Sequence, residues 1–205
     1  SSDVCSSDLI LAPLMTQRSI LVTGGAGYIG SHVVLQLRER GERVVVLDDL
    51  STGFREAVRD APLIIGNAGD VALVKKILHE HDVDTVMHFA ASISVPDSVR
   101  DPLAYYRNNT VNTRALLEAC AAQGLTQFVF SSTAAVYGMP ATGRAAERDP
   151  TAPINPYGRS KLMSEWMLRD VATATATANN PLRYVALRYF NVAGADQKQI
   201  GRAHV

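Results

Sequence analysis

Nine residues near the start, Val22-Thr23-Gly24-Gly25-Ala26-Gly27-Tyr28-Ile29-Gly30, constrain this chain more than any other stretch. The short apolar run ahead of them reads as a β-strand and the amphipathic run behind them as a helix, so the glycines fall at a strand-to-helix turn. Such a turn lets backbone N–H groups and the positive end of a helix approach a phosphate, where a Cβ would intervene. The glycines fit G-x-x-G-x-x-G and G-x-G-x-x-G alike. Alone, the pattern suits a tight turn as well as a ligand cradle.

The rest of the chain supplies the context. Apolar, β-prone runs at 20–23, 43–47, 63–65, 85–89, 127–131 and 184–188 predict strands. Each is short and nearly continuous in apolar residues, as strands buried on both faces must be. Helical spacing appears between them at 29–40, 71–79, 103–123 and 156–172. Alternation of this kind predicts an α/β fold, a doubly wound parallel sheet of Rossmann-like type. The stretch 172–180, ATATATANN, reads as a polar surface excursion.

In that frame Asp48, 18 residues after Gly30 at the end of the second strand, is spaced to accept from an adenosine ribose hydroxyl. A carboxylate there repels a 2′-phosphate and no Arg follows it directly, which favours NAD over NADP. Asp49 beside it reads equally as a cofactor contact and as a solvated loop residue.

A second motif is Asn155-Pro156-Tyr157-Gly158-Arg159-Ser160-Lys161. Asn155 suits an N-cap and Pro156 the first helical turn, so Tyr157 and Lys161 share one helix face. A phenol, with a pKa of about 10, is a poor base near neutrality unless nearby positive charge stabilises its anion. Lys161 can supply that charge, and an oxidised nicotinamide ring would add to it. Ser131, Ser132 and Thr133 end the fifth predicted strand, at the sheet edge where ligands bind. Thr133 can share a proton with a substrate hydroxyl, Ser131 suits a strand-end hydrogen bond to backbone, and Ser132 fits either role.

Twenty basic and twenty acidic residues cancel, so no net field points to nucleic acid or to an anionic membrane. No apolar run reaches the length of a membrane span. Cys5 and Cys120 are far apart and Cys120 lies in an apolar helical pattern, which argues for a reduced thiol and a cytoplasmic setting. His32, His79, His81 and His88 show no metal-ligand spacing, so no metal is expected, and Trp166 is expected to pack the helix of Tyr157. Residues 1–14 read as a non-native leader before a start at Met15, and 197–205 as a non-native tail; both ends resemble translated adaptor DNA. The domain proper is then 15–196.

Seven segments in order, VTGGAGYIGSH, VVVLDDLSTG, VMHFAASISVPDSV, PLAYYRNNTVNT, FVFSSTAAVYG, NPYGRSKLMSE and LRYFNVAGA, carry a family resemblance. The chain resembles the UDP-glucose 4-epimerase family, NAD-dependent epimerases/dehydratases of the extended short-chain dehydrogenase/reductase class. The resemblance implies an isomerase that epimerises UDP-glucose and UDP-galactose at C4 through a transient 4-keto sugar, with bound NAD. It implies that Gly24, Gly27 and Gly30, with Tyr28 and Ile29, hold the pyrophosphate and Asp48 the ribose. Phe89, Ala90 and Ala91 would line the nicotinamide side, and Asn108 or Asn109 would touch the cofactor. Tyr157 would be the base, Lys161 its partner, Thr133 the third member, and Asn191 would meet the nucleotide sugar.

Two departures stand out. Asn67 replaces the acidic residue that meets the adenine, and the family's C-terminal substrate-binding part would lie beyond residue 196. Epimerisation of another nucleotide sugar, or an inactive NAD-binding fragment, are the alternatives this leaves. A dehydratase of the same class would need an Asp-Glu pair where Ala134 and Ala135 stand. A non-catalytic NAD sensor would need neither Tyr157 nor Lys161. The resemblance also suggests a homodimer through helices 103–123 and 156–172, although Leu116, Leu117 and Met163 suit plain core packing equally.

Overall fold

The run Val44-Val45-Val46-Leu47 is apolar without a break because successive side chains point to opposite faces of a sheet that is covered on both. Val44 and Val46 pack with Val22, Val34 and Val58 on one face, while Val45 and Leu47 join Leu21, Val86, Phe128 and Phe130 on the other. A computed structural model describes residues 18–196; the leader 1–14 with Cys5, the start at Met15 and the tail 197–205 lie outside the described residues.

The strands are β1 (Ser19–Thr23), β2 (Arg43–Asp48), β3 (Leu63–Ile65), β4 (Val83–His88), β5 (Gln127–Ser131) and β6 (Arg183–Leu187). The helices are α1 (Tyr28–Glu39), α2 (Val71–Glu80), α3 (Val95–Arg100), α4 (Pro102–Tyr105), α5 (Asn112–Ala122) and α6 (Pro156–Ala174). All strand pairs are parallel, in the order β3-β2-β1-β4-β5-β6. Winding reverses between β1 and β4, so a crevice opens beyond their carboxyl ends, where a doubly wound fold binds its ligand.

Helix starts follow from local chemistry. Asp70 Oδ1 accepts from Leu73 N (3.0 Å) at α2 and Asn155 Oδ1 from Gly158 N (2.8 Å) at α6. Both satisfy a backbone donor left free by the first helical turn.

The expected single helix over 103–123 is in fact three pieces: α4, a π-helical turn at Tyr106–Val111, and α5. Helical periodicity does not register such a turn, because the apolar pattern is regular on both sides of it. The short α3 was not expected either. Ser94 Oγ caps it by accepting from Asp97 N (3.3 Å), and Asp101 Oδ1 caps α4 by accepting from Ala104 N (3.0 Å), each with Pro in the first turn. Among the described residues no helix is long and apolar enough to cross a membrane.

Candidate active site

The glycine loop is shaped by close approach. A Cβ on Gly24, whose φ is +70°, would lie 2.4 Å from Ala90 N, and one on Gly30 would lie 2.1 Å from Gly24 O. Neither position has room for a side chain, and Gly24 also sits in left-handed backbone that L-residues avoid. Unlike α2 and α6, helix α1 begins at Gly27 with no capping side chain, which leaves its positive end open to an anion.

Asp48 is buried, and its carboxylate holds the loop: Oδ2 accepts from Ala26 N (2.9 Å) and Oδ1 from Leu50 N (2.8 Å). Lone pairs remain on both oxygens for a ribose hydroxyl. Asp49 is exposed and closes its own turn, accepting from Ser51 N (3.0 Å) and Ser51 Oγ (2.6 Å).

A cleft of about 440 Å³ gathers most of the residues singled out in the sequence. Gly24, Gly27, Tyr28, Ile29 and Gly30 line one end with Asp48 and Asp49; Phe89, Ala90, Ala91 and Asn108 line the middle; Tyr157 and Lys161 line the far end. Asn67 lies beside Asp48, with Oδ1 accepting from Gly69 N (2.7 Å). Thr133 is buried, its Oγ1 accepts from Ala135 N (3.1 Å), and it stands close enough to the Tyr157 phenol to influence its pKa. Asn191 is exposed and is not among the residues lining the cleft.

At the far end Lys161 is 2% exposed, and its Nζ donates to the Ser131 carbonyl (2.9 Å) and sits 5.0 Å from the centre of the Phe130 ring. Burial lowers its pKa to about 7. The Tyr157 phenol is moved up by its own burial, with Thr133 opposing. The sequence suggested that Lys161 supplies the charge that makes Tyr157 a base. In the structure the ammonium rests on a carbonyl and a ring face, and desolvation is the largest influence on both groups.

The serines divide the labour. Ser131 Oγ hydrogen-bonds Tyr189 Oη as its carbonyl receives Lys161. Ser132, which fitted two roles, donates to Glu165 Oε1. Glu165 is paired with Arg188 (2.6 Å), whose Nη1 donates to Tyr137 Oη (2.9 Å). The pair, buried on the Glu165 side and half-buried at Arg188, ties the ends of β5 and β6 to α6. Trp166, expected to pack α6, is 46% exposed and lines a second groove of about 480 Å³ alongside Tyr137, Arg169 and Tyr184.

Asn109 was singled out in the sequence, but what it holds was not, and Ser94 and Tyr105 were missed. Asn109 clamps Ser92, with Oδ1 accepting from Ser92 N (2.8 Å) and Nδ2 donating to Ser92 O (2.9 Å) and Ser160 Oγ (3.1 Å). Ser94 and Tyr105 lie together at the cleft wall. His88, also on the wall, sits between Thr23 Oγ1 (2.6 Å) and Thr113 Oγ1 (2.9 Å), and burial with Lys161 nearby lowers its pKa to about 3. The capping pattern at Ser94 was readable; the π-turn that aims Tyr105, Asn108 and Asn109 was not.

Sheet order, uncapped α1 and a loop that excludes Cβ atoms define a doubly wound dinucleotide-binding domain, and the residues present fit such a cofactor. The model of the NAD dependent epimerase/dehydratase family matches residues 20–205, and the chain belongs to that family. It is 57% identical over 178 residues to a UDP-glucose 4-epimerase of Azospirillum brasilense, covering 86% of this chain and 50% of that protein. Among solved structures, UDP-glucose 4-epimerase from Brucella ovis in complex with NAD is similar at 46% identity and a TM-score of 0.83, covering 87% of this chain and 54% of that one. The UDP-Glc/GlcNAc 4-epimerase of Campylobacter jejuni is similar at 46% identity and 0.81, covering 88% and 56%. The chain therefore spans about half the length of the relatives it matches.

Proposed function

We propose that this chain carries the NAD-binding and proton-handling half of a nucleotide-sugar 4-epimerase that interconverts UDP-glucose and UDP-galactose. The observation that carries the reading is one cleft with the glycine cradle at one end and Tyr157 and Lys161 at the other. The cradle and Asp48 would hold the dinucleotide, which when bound would supply a reversible hydride acceptor for sugar C4. Tyr157 takes the proton of the C4 hydroxyl, Thr133 beside it favours the phenolate, and Lys161 supports that anion. After the 4-keto sugar turns over, Tyr157 gives the proton back, so no redox substrate is consumed. Neither Ala134 nor Ala135 can donate a proton, which favours epimerisation over loss of water.

A second sugar class, an N-acetylated hexosamine, is favoured by the similarity to the Campylobacter jejuni protein, whose name includes both sugars. Asn191 as a sugar contact, a homodimer and a cytoplasmic setting belong to the same proposal. Leu116 and Leu117 are core residues and leave the dimer to exposed Leu103 and Val111; light scattering tests it. Calorimetric titration with NAD tests the cofactor, and interconversion of UDP-galactose and UDP-glucose tests the chemistry. Absence of NAD binding to the folded chain would overturn the reading.

A further inference from the structure

Lys161 is a cation without an anion. Among the described residues it forms no ion pair, and Glu165, one turn further along α6, is committed to Arg188 and Ser132. Only two groups compensate the buried ammonium: the Ser131 carbonyl at 2.9 Å and the face of Phe130 at 5.0 Å. Phe130 is itself fully buried, fixed in β5 and stacked on His88 with ring centres 5.8 Å apart.

We propose that Phe130 is a positioning residue for Lys161, its ring face keeping the ammonium charged and aimed along the wall that Tyr157 shares. This rests on the role given to Lys161 above. An aromatic face attracts a cation through its quadrupole, and the attraction strengthens once water is excluded. A carboxylate could also hold the charge, but it would neutralise the field Lys161 sends toward Tyr157. A ring holds the cation and adds no opposing charge.

The other ionisable groups around the ammonium fit that division. His88 from β4 stays neutral. Tyr157 on α6, Tyr105 on α4 and Tyr189 beyond β6 all have pKa values moved up by burial, so they too are uncharged near neutrality. Glu165 and Arg188 cancel one another. Asp97, which lines the cleft from α3, is paired with Arg100 (2.9 Å). Lys161 is then the net charge of this corner, and what sustains it sets how strongly the phenolate is supported.

The test reads Lys161 directly, with no cofactor or sugar present. The chain has four lysines, Lys75, Lys76, Lys161 and Lys198, so the Lys161 side-chain resonance in a ¹³C-labelled sample is assignable with Lys161→Met. Its titration midpoint is followed in the wild type, in Phe130→Leu, and in proteins with progressively fluorinated phenylalanine at 130, which keeps the shape and drains the ring face. The expected result is a midpoint well below that of the surface lysines, dropping by about one further pH unit on loss of the ring and in graded steps with fluorination. A midpoint that ignores fluorination overturns the proposal, even if Phe130→Leu moves it, because packing alone would then be responsible. A wild-type midpoint equal to that of Lys75 overturns it as well. If Phe130→Leu does not fold, the fluorinated series decides alone. NAD titration of the same samples reports separately on the cofactor reading.

Discussion

The two ends of the cleft are built from different materials. At the cradle the functional groups are backbone N–H dipoles, and the sequence contributes mainly by withholding side chains at Gly24 and Gly30. At the Tyr157 end the functional groups are side chains whose usefulness depends on protonation, and the sequence contributes neighbours: Thr133, Ser131, Phe130 and His88. One end should therefore be intolerant of volume and indifferent to pH. The other should be tolerant of volume and sensitive to charge.

The cradle can be broken most severely. Gly30→Val is expected to abolish NAD binding in calorimetry and to cost on the order of 3 kcal/mol or more in urea unfolding, since the added Cβ meets a carbonyl oxygen. Gly41→Ala is the contrast: its φ is positive, at +80°, where that of Gly30 is not, but nothing lies within 4 Å of an added Cβ, so about 1 kcal/mol of backbone strain is all that should appear. Equal losses in the two variants would show that crowding at Gly30 costs no more than backbone strain alone.

At the other end Tyr157→Phe keeps the volume and removes the proton site. Turnover should fall by roughly 10²- to 10⁴-fold while NAD affinity stays within about threefold. Glu165→Ala tests the frame beneath the site. It strands Arg188 beside Tyr137 and should cost roughly 3 kcal/mol in unfolding, with Glu165→Gln less harmful.

The charge contrast predicts a pH dependence with a definite sign. Lys161 drops from its ordinary 10.5 to about 7 on folding, so between those values the unfolded chain binds the extra proton and stability rises with pH. His88, lowered from 6.5 to about 3, gives the same sign in its own window, with stability lost as pH falls from 6.5 toward 3. The urea midpoint should climb from pH 7 to 9 in the wild type and stay flat in Lys161→Met. The smallest effect is expected at Asp49→Ala, within about 0.5 kcal/mol, because its partners are exposed and local.

Legibility in the sequence followed the same divide. Whatever rests on periodicity and excluded volume was readable: six strands within two residues of their places, the glycine turn, the cap at Asn155. Tyr157 and Lys161 were readable as a pair because four residues of helix fix their common face. What they touch was not, since Ser131, Phe130 and Thr133 arrive from 30 residues or so away in the chain and only folding brings them close. The Ser132–Glu165–Arg188 tie is of that kind, as is Asn109, whose amide looked like a cofactor contact and instead staples Ser92 to Ser160.

The π-helical turn at Tyr106–Val111 also bears on the reading frame of the helix that contains it. An α-helix advances about 100° per residue, and a π-turn accommodates a residue that the α-helical count would not. Loss of a single residue between 106 and 111 would let the segment relax to an ordinary helix. That would swing Asn108 and Asn109 out of azimuth with respect to Leu116 and Cys120, which sit in the core on the other side of the turn. Related chains should therefore accept substitutions in this stretch far more readily than any change in its length.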